Sequence, residues 1–309
     1  MSRKPWMSVL ALVALATILA PARASACSIC RCGDPTFNAL GTSVYSDGQF
    51  HLALDWERFS KTQLTEDGGT DSEIENRYTA TLSYSFGERF LLVARVPFSH
   101  RDLTTTLGED VEKVSTDGLG DPEIYGLVRL WSSDFSGGLG RRTWVSAVFG
   151  VKTPWGRNDI VQGGLRVDEH AQSGTGSTDF YGGLSGFYLF DADSALFASA
   201  QYRGTGRNDF GYKYGDIAMV NTAYERKLSA VLDGVVELNF RHAGRDQVGF
   251  DGALDPNTGG SILYVTPRVL VNVAKGIVVR LSVQVPVLQR LYGVQDEKVN
   301  LNAGLTFLF

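Results

Sequence analysis

Apolar and polar residues alternate along most of this 309-residue chain, in segments of about ten residues. In the clearest segment, the apolar positions are Tyr78, Ala80, Leu82, Tyr84 and Phe86. The residues between them are threonine and serine. Because successive side chains of a β-strand point to opposite faces, this pattern predicts strands with one apolar face and one polar face. The chain is therefore predicted to be all-β.

Clusters of glycine, aspartate, asparagine and serine separate these segments, and such clusters favour turns. The segments predict twelve strands with these approximate bounds: 49–60, 75–86, 89–101, 122–132, 143–154, 179–190, 194–204, 215–226, 231–243, 261–273, 277–288 and 298–309. Alternation alone also fits a soluble sandwich or a lipocalin-like barrel, so it does not show which medium the apolar face meets.

The connections favour a membrane barrel. Those after even-numbered strands are mostly short, whereas several after odd-numbered strands are long and polar, namely 61–74, 102–121, 155–178 and 244–260. Short turns at one end and long loops at the other are typical of bacterial outer-membrane barrels. We therefore predict a transmembrane antiparallel up-and-down β-barrel of about 12 strands over residues 48–309, with both termini in the periplasm.

The last strand supports the same prediction. Its apolar row is Val299, Leu301, Ala303, Leu305, Phe307 and Phe309. An apolar final strand that ends on phenylalanine resembles the sorting signal recognised by the outer-membrane assembly machinery. In a soluble sandwich, an exposed strand of this kind would promote aggregation. The predicted surroundings are thus outer-membrane lipid.

The first residues have the three parts of a secretory signal peptide. Arg3 and Lys4 precede an apolar run over residues 7–20, and Ala24-Ser25-Ala26 precedes Cys27. The apolar run is shorter than a membrane-spanning helix requires. We predict a signal peptide at residues 1–26. Lipidation of Cys27 is disfavoured, because a lipoprotein site usually has a leucine-like residue where this chain has Ala24.

If the apolar rows face lipid, the opposite rows line the barrel interior. The predicted pore-lining residues are Asp55, Glu57, Arg77, Arg95, Arg129, Lys152, Arg203, Glu225, Glu237, Arg241, Arg268 and Arg280. These charges would set the electrostatic field of a pore and select its solute. Alternatively, they pair with one another and fill a narrow barrel. The arginines point to anionic or carboxylated solutes.

All three cysteines, Cys27, Cys30 and Cys32, lie in a predicted periplasmic segment over residues 27–47. Thiolates at this spacing could bind a soft metal or dock a periplasmic partner. One disulfide with a spare thiol is the alternative. Apart from such a metal, no cofactor is predicted.

Two function classes find no support in the sequence. The net charge of −5 gives no indication of nucleic-acid binding. Ser99 and His100 cannot form a catalytic dyad, because neighbouring residues of a strand point to opposite faces. We therefore predict that the protein is not an enzyme.

Three glycine-rich stretches carry a family resemblance. They are Thr116-Asp117-Gly118-Leu119-Gly120-Asp121-Pro122, Gly150-Val151-Lys152-Thr153-Pro154-Trp155-Gly156 and Gly174 to Asp179. Together they resemble the meta-pathway phenol-degradation outer-membrane proteins, many of which are labelled transporters. The resemblance implies a barrel that takes up small, often aromatic or hydrophobic, compounds. The predicted function is an outer-membrane channel for small organic solutes, aromatic or anionic. A metal-binding or redox-linked barrel that uses the cysteine cluster is the alternative.

Overall fold

The computed structural model describes residues 48, 50–64, 69–87, 89–133, 143–191 and 193–309. Within these ranges the only helix is a single 3₁₀ turn at Glu169–Ala171. None of the described helical structure is long and apolar enough to cross a membrane. The predicted signal peptide at residues 1–26 and the predicted segment 27–47 lie outside the described residues.

Twelve strands form the wall of the molecule. They are β1 (Phe50–Leu64), β2 (Thr70–Phe86), β3 (Phe90–Leu107), β5 (Glu123–Ser133), β6 (Thr143–Lys152), β9 (Asp179–Asp191), β10 (Ser194–Gly204), β11 (Ile217–Lys227), β12 (Leu232–Ala243), β15 (Gly260–Ala274), β16 (Ile277–Leu291) and β18 (Asn300–Leu308). Shorter strands extend the connections: β4 (Asp110–Leu119), β7 (Val161–Gln162), β8 (Leu165–Arg166), β13 (Gln247–Val248), β14 (Ala253–Leu254) and β17 (Gln295–Glu297).

The wall closes on itself, because β1 pairs with β2 on one side and with β18 on the other. All of the pairings are antiparallel, and the wall strands follow one another around the ring in chain order. Closure leaves the sheet without an unpaired edge. The protein is therefore a closed 12-stranded antiparallel β-barrel, which confirms the predicted fold class.

The two faces of the wall differ as the alternation predicts. On β2, Thr79, Thr81 and Ser83 point inward and are buried, whereas Tyr78 and Leu82 point outward and are about half exposed. The short connections gather at one end of the barrel, here called the turn end, and the long ones at the opposite loop end. An aromatic group lies on the exterior near the turn end, with Phe50 and Tyr84 ring centroids 4.3 Å apart. The exterior is thus suited to lipid.

Two predicted loops prove to be largely strand. Residues 61–64 and 70–74 continue β1 and β2, and residues 102–107 and 110–119 form the β3–β4 hairpin. Gly108, at φ +61°, makes the tight turn between β3 and β4. Apolar residues are few in these segments and do not recur at every second position, so the alternation that reveals the other strands is absent there.

The strand that follows this hairpin is interrupted at Gly120-Asp121-Pro122, between β4 and β5. The Gly120 amide donates to the Pro97 carbonyl, with N···O 2.9 Å, and Pro122 has no amide hydrogen to donate. The interruption directs the Asp121 side chain into the barrel, where it is buried. At the interruption, the backbone also bonds to the connection over residues 153–178, because the Arg157 amide donates to the Leu119 carbonyl at 2.8 Å.

That connection folds inward at the loop end. Its residues 169–175 are buried, and Thr116 and Arg101 donate side-chain hydrogen bonds to the carbonyls of Ala171 and His170. The Gly174 amide returns to the Arg157 carbonyl at 2.8 Å. Because its backbone is bonded to the inner faces of β3 and β4, the connection is part of the barrel interior.

Candidate functional site

The predicted pore-lining side chains all lie on the inner face of the wall. Arg77, Arg95, Lys152, Arg203, Glu237, Arg241, Arg268 and Arg280 are buried, and Asp55, Glu57, Arg129 and Glu225 are half-buried. Each occupies a position that alternates with an outward apolar residue. The barrel interior is therefore the candidate functional site, and its character depends on how these charges are arranged.

One group of ion pairs joins strands near the β1–β18 pairing that closes the barrel. The Arg280 Nη2 atom lies 2.7 Å from the Asp55 Oδ1 atom, which joins β16 to β1. The Arg268 Nε atom lies 2.9 Å from the Glu237 Oε1 atom, which joins β15 to β12. Buried charges of this kind are retained only when they are paired, because desolvation of a lone charge is costly.

A second group surrounds Glu123 on β5. Its carboxylate contacts the Arg203 Nη2 atom at 3.0 Å and the Arg95 Nη1 atom at 3.5 Å. The Arg203 guanidinium also lies over the Tyr181 ring, 4.8 Å from its centroid. Arg203 is fully buried, so its charge is held entirely by groups inside the barrel.

Lys152 connects the wall to the inward connection. Its Nζ atom lies 2.8 Å from the Asp121 carboxylate and 3.3 Å from the Asp179 carboxylate, and it donates to the Ser177 carbonyl at 2.9 Å. Asp121 also accepts hydrogen bonds from the Gly156 amide at 2.9 Å and the Thr175 amide at 2.7 Å. The three glycine-rich stretches of the sequence thus meet at one buried ammonium group.

Glu75 and Arg101 belong to the same interior but are absent from the predicted set. The Glu75 carboxylate lies 2.9 Å from Arg77 and 3.4 Å from Arg101, and all three side chains are buried. Arg101 lies on the same face of β3 as Arg95, and Glu75 lies on the same face of β2 as Arg77. Both residues are the outermost residues of the predicted strands 75–86 and 89–101, so following each inward row to the strand end would have identified them.

Three other predicted residues are placed by their neighbours on the inner face. Arg129 lies over the Trp144 ring, 5.4 Å from its centroid. Arg241 faces inward between Met219 on β11 and Ile262 on β15. Glu57 lies beside Arg77 in the β1–β2 register.

The inner face is not uniformly charged. An apolar cluster on β3, β5, β6 and β9 is called the apolar wall, and it consists of Leu91, Val93, Tyr125, Leu127, Trp144, Val148 and Tyr181. Across the ring, β11, β12, β15, β16 and β18 carry the polar wall, which consists of Asn221, Glu237, Asn239, Thr266, Arg268, Ser282, Gln284, Asn300 and Asn302. The largest apolar cluster therefore lines one side of the lumen, and hydrogen-bonding side chains predominate on the other, where smaller apolar clusters such as Ile262 with Tyr264 also face inward.

Three connections meet at the loop end around His170. The His170 Nε2 atom lies 2.7 Å from the Tyr212 hydroxyl, which donates to the Asp246 carboxylate at 2.6 Å. The Gly215 amide donates to the other carboxylate oxygen of Asp246 at 2.6 Å. Burial raises the pKa of Asp246 to about 7 and lowers the pKa of His170 well below its usual value. This loop cluster joins the connections 153–178, 205–216 and 244–259.

The predicted metal ligands Cys27, Cys30 and Cys32 lie outside the described residues. Among the residues that the structure describes, there is no group of histidine, cysteine and acidic side chains that could hold a metal ion. The metal-binding alternative therefore stays a prediction about the segment 27–47.

No protein-family model matches the sequence, and no curated protein is similar to it in sequence. Membership of the phenol-degradation family therefore stays a prediction.

The fold, by contrast, has solved counterparts. The COG4313 outer membrane channel from Pseudomonas putida F1 matches with a TM-score of 0.66 and 8% sequence identity, over 86% of this chain and 97% of that chain. The translocator domain of the autotransporter NalP from Neisseria meningitidis matches with a TM-score of 0.48 and 11% identity, over 88% and 92%. A deltaS2 mutant of the TodX monoaromatic hydrocarbon channel matches at 0.42 and 10%, over 85% and 90%. The first similarity shows that the chain has the fold of an outer-membrane barrel, and the other two are too low to carry an argument.

Proposed function

We propose that the protein is an outer-membrane channel that passes small organic solutes through its lumen. The observation that carries the proposal is the contrast between an apolar exterior and an interior lined by charges of both signs. Replacing buried ion pairs by well-packed apolar residues is often neutral or stabilising. Stability alone therefore gives no reason to retain so many charges. A lining that interacts with a passing solute does give such a reason.

The two walls indicate the kind of solute. An aromatic or aliphatic body would contact the apolar wall, while a carboxylate or hydroxyl would contact arginines and amides on the other side. The resemblance to proteins that take up aromatic compounds agrees with this class of solute. The name of the Pseudomonas putida protein, an outer membrane channel, agrees with a role in transport. In this proposal the lining charges act on transport and not on catalysis.

The proposed orientation places the turn end and both termini in the periplasm and the loop end outside the cell. Its support is the distribution of connections, because outer-membrane barrels have short periplasmic turns and long outer loops. An epitope inserted in the long connection 244–259 should be accessible to antibody on intact cells. An epitope in the short connection 228–231 should become accessible only after the outer membrane is permeabilised, and the reverse result would overturn the orientation.

The experiment that tests the function is solute flux through the refolded full-length chain. In planar bilayers we expect discrete conductance steps, and in liposomes we expect swelling with benzoate or a similar small aromatic acid. Vesicles that contain heat-denatured protein are the control. A folded barrel that shows neither conductance nor swelling would overturn the proposal.

Lining residues are tested by a pair of opposite charge changes. Arg241→Gln removes an inward positive charge and should shift ion selectivity toward cations, whereas Glu225→Gln should shift it toward anions. Arg290→Gln removes an exposed charge near the loop end and is the matched control. Reversal potentials in a salt gradient measure the shift. Equal reversal potentials in all three variants would exclude Arg241 and Glu225 from the permeation path.

A further inference from the structure

A small cavity lies inside the barrel, where β2 and β3 meet the interruption between β4 and β5. Its floor is formed by Thr79 and Ser99 on the two strands, and Ser173 of the inward connection completes it. The Gly120 backbone forms one side, beside Pro97. The cavity is next to the Lys152 and Glu123 ion pairs but separate from the loop cluster around His170.

Three buried hydroxyl groups lie around this cavity. Thr79 Oγ1, Ser99 Oγ and Ser173 Oγ are buried, their residues are 3%, 2% and 6% exposed, and none has a hydrogen-bond partner among the residues that the structure describes. Buried hydroxyls are normally hydrogen-bonded, because leaving them without an acceptor costs free energy. Three in one cavity therefore point to a ligand that accepts hydrogen bonds.

The charges around the cavity indicate the sign of that ligand. Arg77, Arg95, Arg101 and Lys152 line it, against the carboxylates of Asp121 and Glu123. Both carboxylates already accept from cations, Asp121 from Lys152 at 2.8 Å and Glu123 from Arg95 at 3.5 Å. Arg77 and Arg101 in turn share the Glu75 carboxylate, at 2.9 Å and 3.4 Å, which does not line the cavity. Four cations but only two carboxylates therefore face this space, and together with three hydroxyl donors they favour an anion over a cation.

The size of the cavity limits the ligand further. The space available is about 30 Å³. A water molecule needs roughly 10–15 Å³ on this measure, so there is room for about two water-sized groups. A halide ion or the carboxylate group of an organic acid fits, whereas a whole aromatic ring does not.

We propose that this cavity is a binding site for one small anionic group, a halide or the carboxylate of an organic acid, held by the hydroxyls of Thr79, Ser99 and Ser173 and the surrounding guanidinium groups. The site goes beyond the proposed channel function, because its geometry holds whether or not solutes cross the barrel. If the channel function also holds, the site gives the lumen a preference for acids.

The first test locates the anion. Crystals of the full-length refolded chain are soaked in sodium bromide, and anomalous scattering is recorded at the bromine edge. We expect a bromide peak within hydrogen-bond distance of the three hydroxyls. A data set with bromide peaks elsewhere but none in this cavity would overturn the proposal.

The second test measures affinity with matched variants. Bromide binding to the refolded barrel is followed by the line width of bromide nuclear magnetic resonance, with sodium acetate as competitor and protein-free micelles as blank. Thr79→Val with Ser99→Ala should weaken bromide binding by about tenfold, since hydrogen bonds to a charged group are lost. Acetate should displace bromide from the unaltered chain.

The control variant removes two buried hydroxyl groups elsewhere on the inner face. Thr306 Oγ1 and Ser85 Oγ are also buried hydroxyls without a partner in the described part of the chain, but they do not line the cavity. Thr306→Val with Ser85→Ala should leave bromide affinity unchanged. Equal weakening in both double variants would contradict the site. If the Thr79/Ser99 variant does not refold, Ser173→Ala is measured in its place, because Ser173 lies in the inward connection and not in a strand of the wall.

The outcomes separate this site from the channel function. Solute flux without a bromide peak would remove the anion site and leave the channel. A bromide peak in a barrel without flux would leave the site and remove the channel.

Discussion

The apolar wall and the polar wall occupy opposite sides of one lumen, yet different forces hold them together. On the apolar wall, Leu91, Val93 and Val148 pack with Tyr125 and Trp144 and need no particular partner orientation. On the polar wall, each amide depends on a directed contact with the next strand. This barrel interior is therefore neither a uniform water-filled tube nor a uniform hydrophobic core.

The polar wall is a ladder of hydrogen bonds between neighbouring strands. The Asn239 amide donates to the Asn221 side-chain oxygen at 3.1 Å, and the Thr266 hydroxyl donates to the Asn239 oxygen at 2.9 Å. On the next strands, the Asn300 amide donates to the Gln284 oxygen at 3.2 Å. Because each group satisfies its neighbour, polar side chains stay buried there with little loss of free energy.

The largest effect is expected where charge is buried on the polar wall. Arg268→Met removes the cation 2.9 Å from Glu237, whose side chain is almost fully buried, and should destabilise the barrel by about 3–5 kcal/mol. The free energy of unfolding is measured by urea titration of the barrel in lipid vesicles, followed by tryptophan fluorescence. The double variant Arg268→Met with Glu237→Leu should recover most of the loss. A double variant as unstable as the single one would show that charge burial is not the cause.

An intermediate effect is expected on the apolar wall. Val148→Ala removes two buried methyl groups and should cost about 2 kcal/mol in the same urea titration. Val236→Ala is the matched control, because Val236 is 53% exposed on the exterior, and its change should be much smaller. Equal costs at both positions would mean that the apolar wall is not packed as a core.

A smaller effect is expected within the neutral part of the polar wall. Thr266→Val removes one donor to Asn239 at a site that is 0% exposed, and should cost about 1 kcal/mol. Thr306→Val removes a hydroxyl that has no partner in the described part of the chain and should change stability little. If the two threonines proved equivalent, the ladder would contribute nothing to stability.

The smallest effect on global stability is expected at the loop cluster, which contains buried titratable groups outside the two walls. Changing the pH tests whether burial of these groups affects the packing of the loops. Burial raises the pKa of Asp246 to about 7 from 3.8, so the protonated carboxyl favours the packed loops as the pH falls below about 7. Burial lowers the pKa of His170 below 6.5, so protonation of the imidazole opposes packing as the pH falls below 6.5. Lys61 and Arg101 add to that lowering, and Asp255 adds to the raising of Asp246.

The two contributions can be separated by single variants. Asp246→Asn leaves the His170 contribution, so protection of residues 244–259 from hydrogen exchange should fall as the pH drops from 6.5 to about 4. His170→Asn leaves the Asp246 contribution, so protection should fall as the pH rises from about 4 to about 7 and then stay constant. Exchange is measured by mass spectrometry and corrected for the intrinsic rate at each pH. Identical pH profiles in both variants would contradict the opposite signs.

Much of the wall could be predicted from alternation, and the exceptions have a physical cause. The row from Tyr78 to Phe86 alternates because one face of β2 is apolar on the exterior and the other is polar inside. Toward the loop end apolar residues are few and do not alternate, so the sequence of residues 102–119 resembles a loop although it belongs to the β3–β4 hairpin. Strand bounds were therefore accurate within the wall and too short at the loop end.

The inward position of a charge was predictable, but its partner was not. The alternation of side chains along β6 predicted that Lys152 points inward. Its contact with Asp121, however, depends on the interruption between β4 and β5. Its contact with Asp179 depends on the register between β6 and β9. The cavity with Ser173 depends on how the connection 153–178 folds back, and no local pattern in the sequence indicates that path.

By itself, the sequence determined the all-β class, the number of wall strands and the face on which each side chain lies. These properties follow from alternation within a single strand, which opposite environments on the two faces of the wall impose. Only the tertiary structure decided which charges meet, that the apolar and polar walls lie across the ring, and that three hydroxyls share a cavity. Those features arise from closure of the sheet and from strand registers, which bring together residues that are distant in the chain.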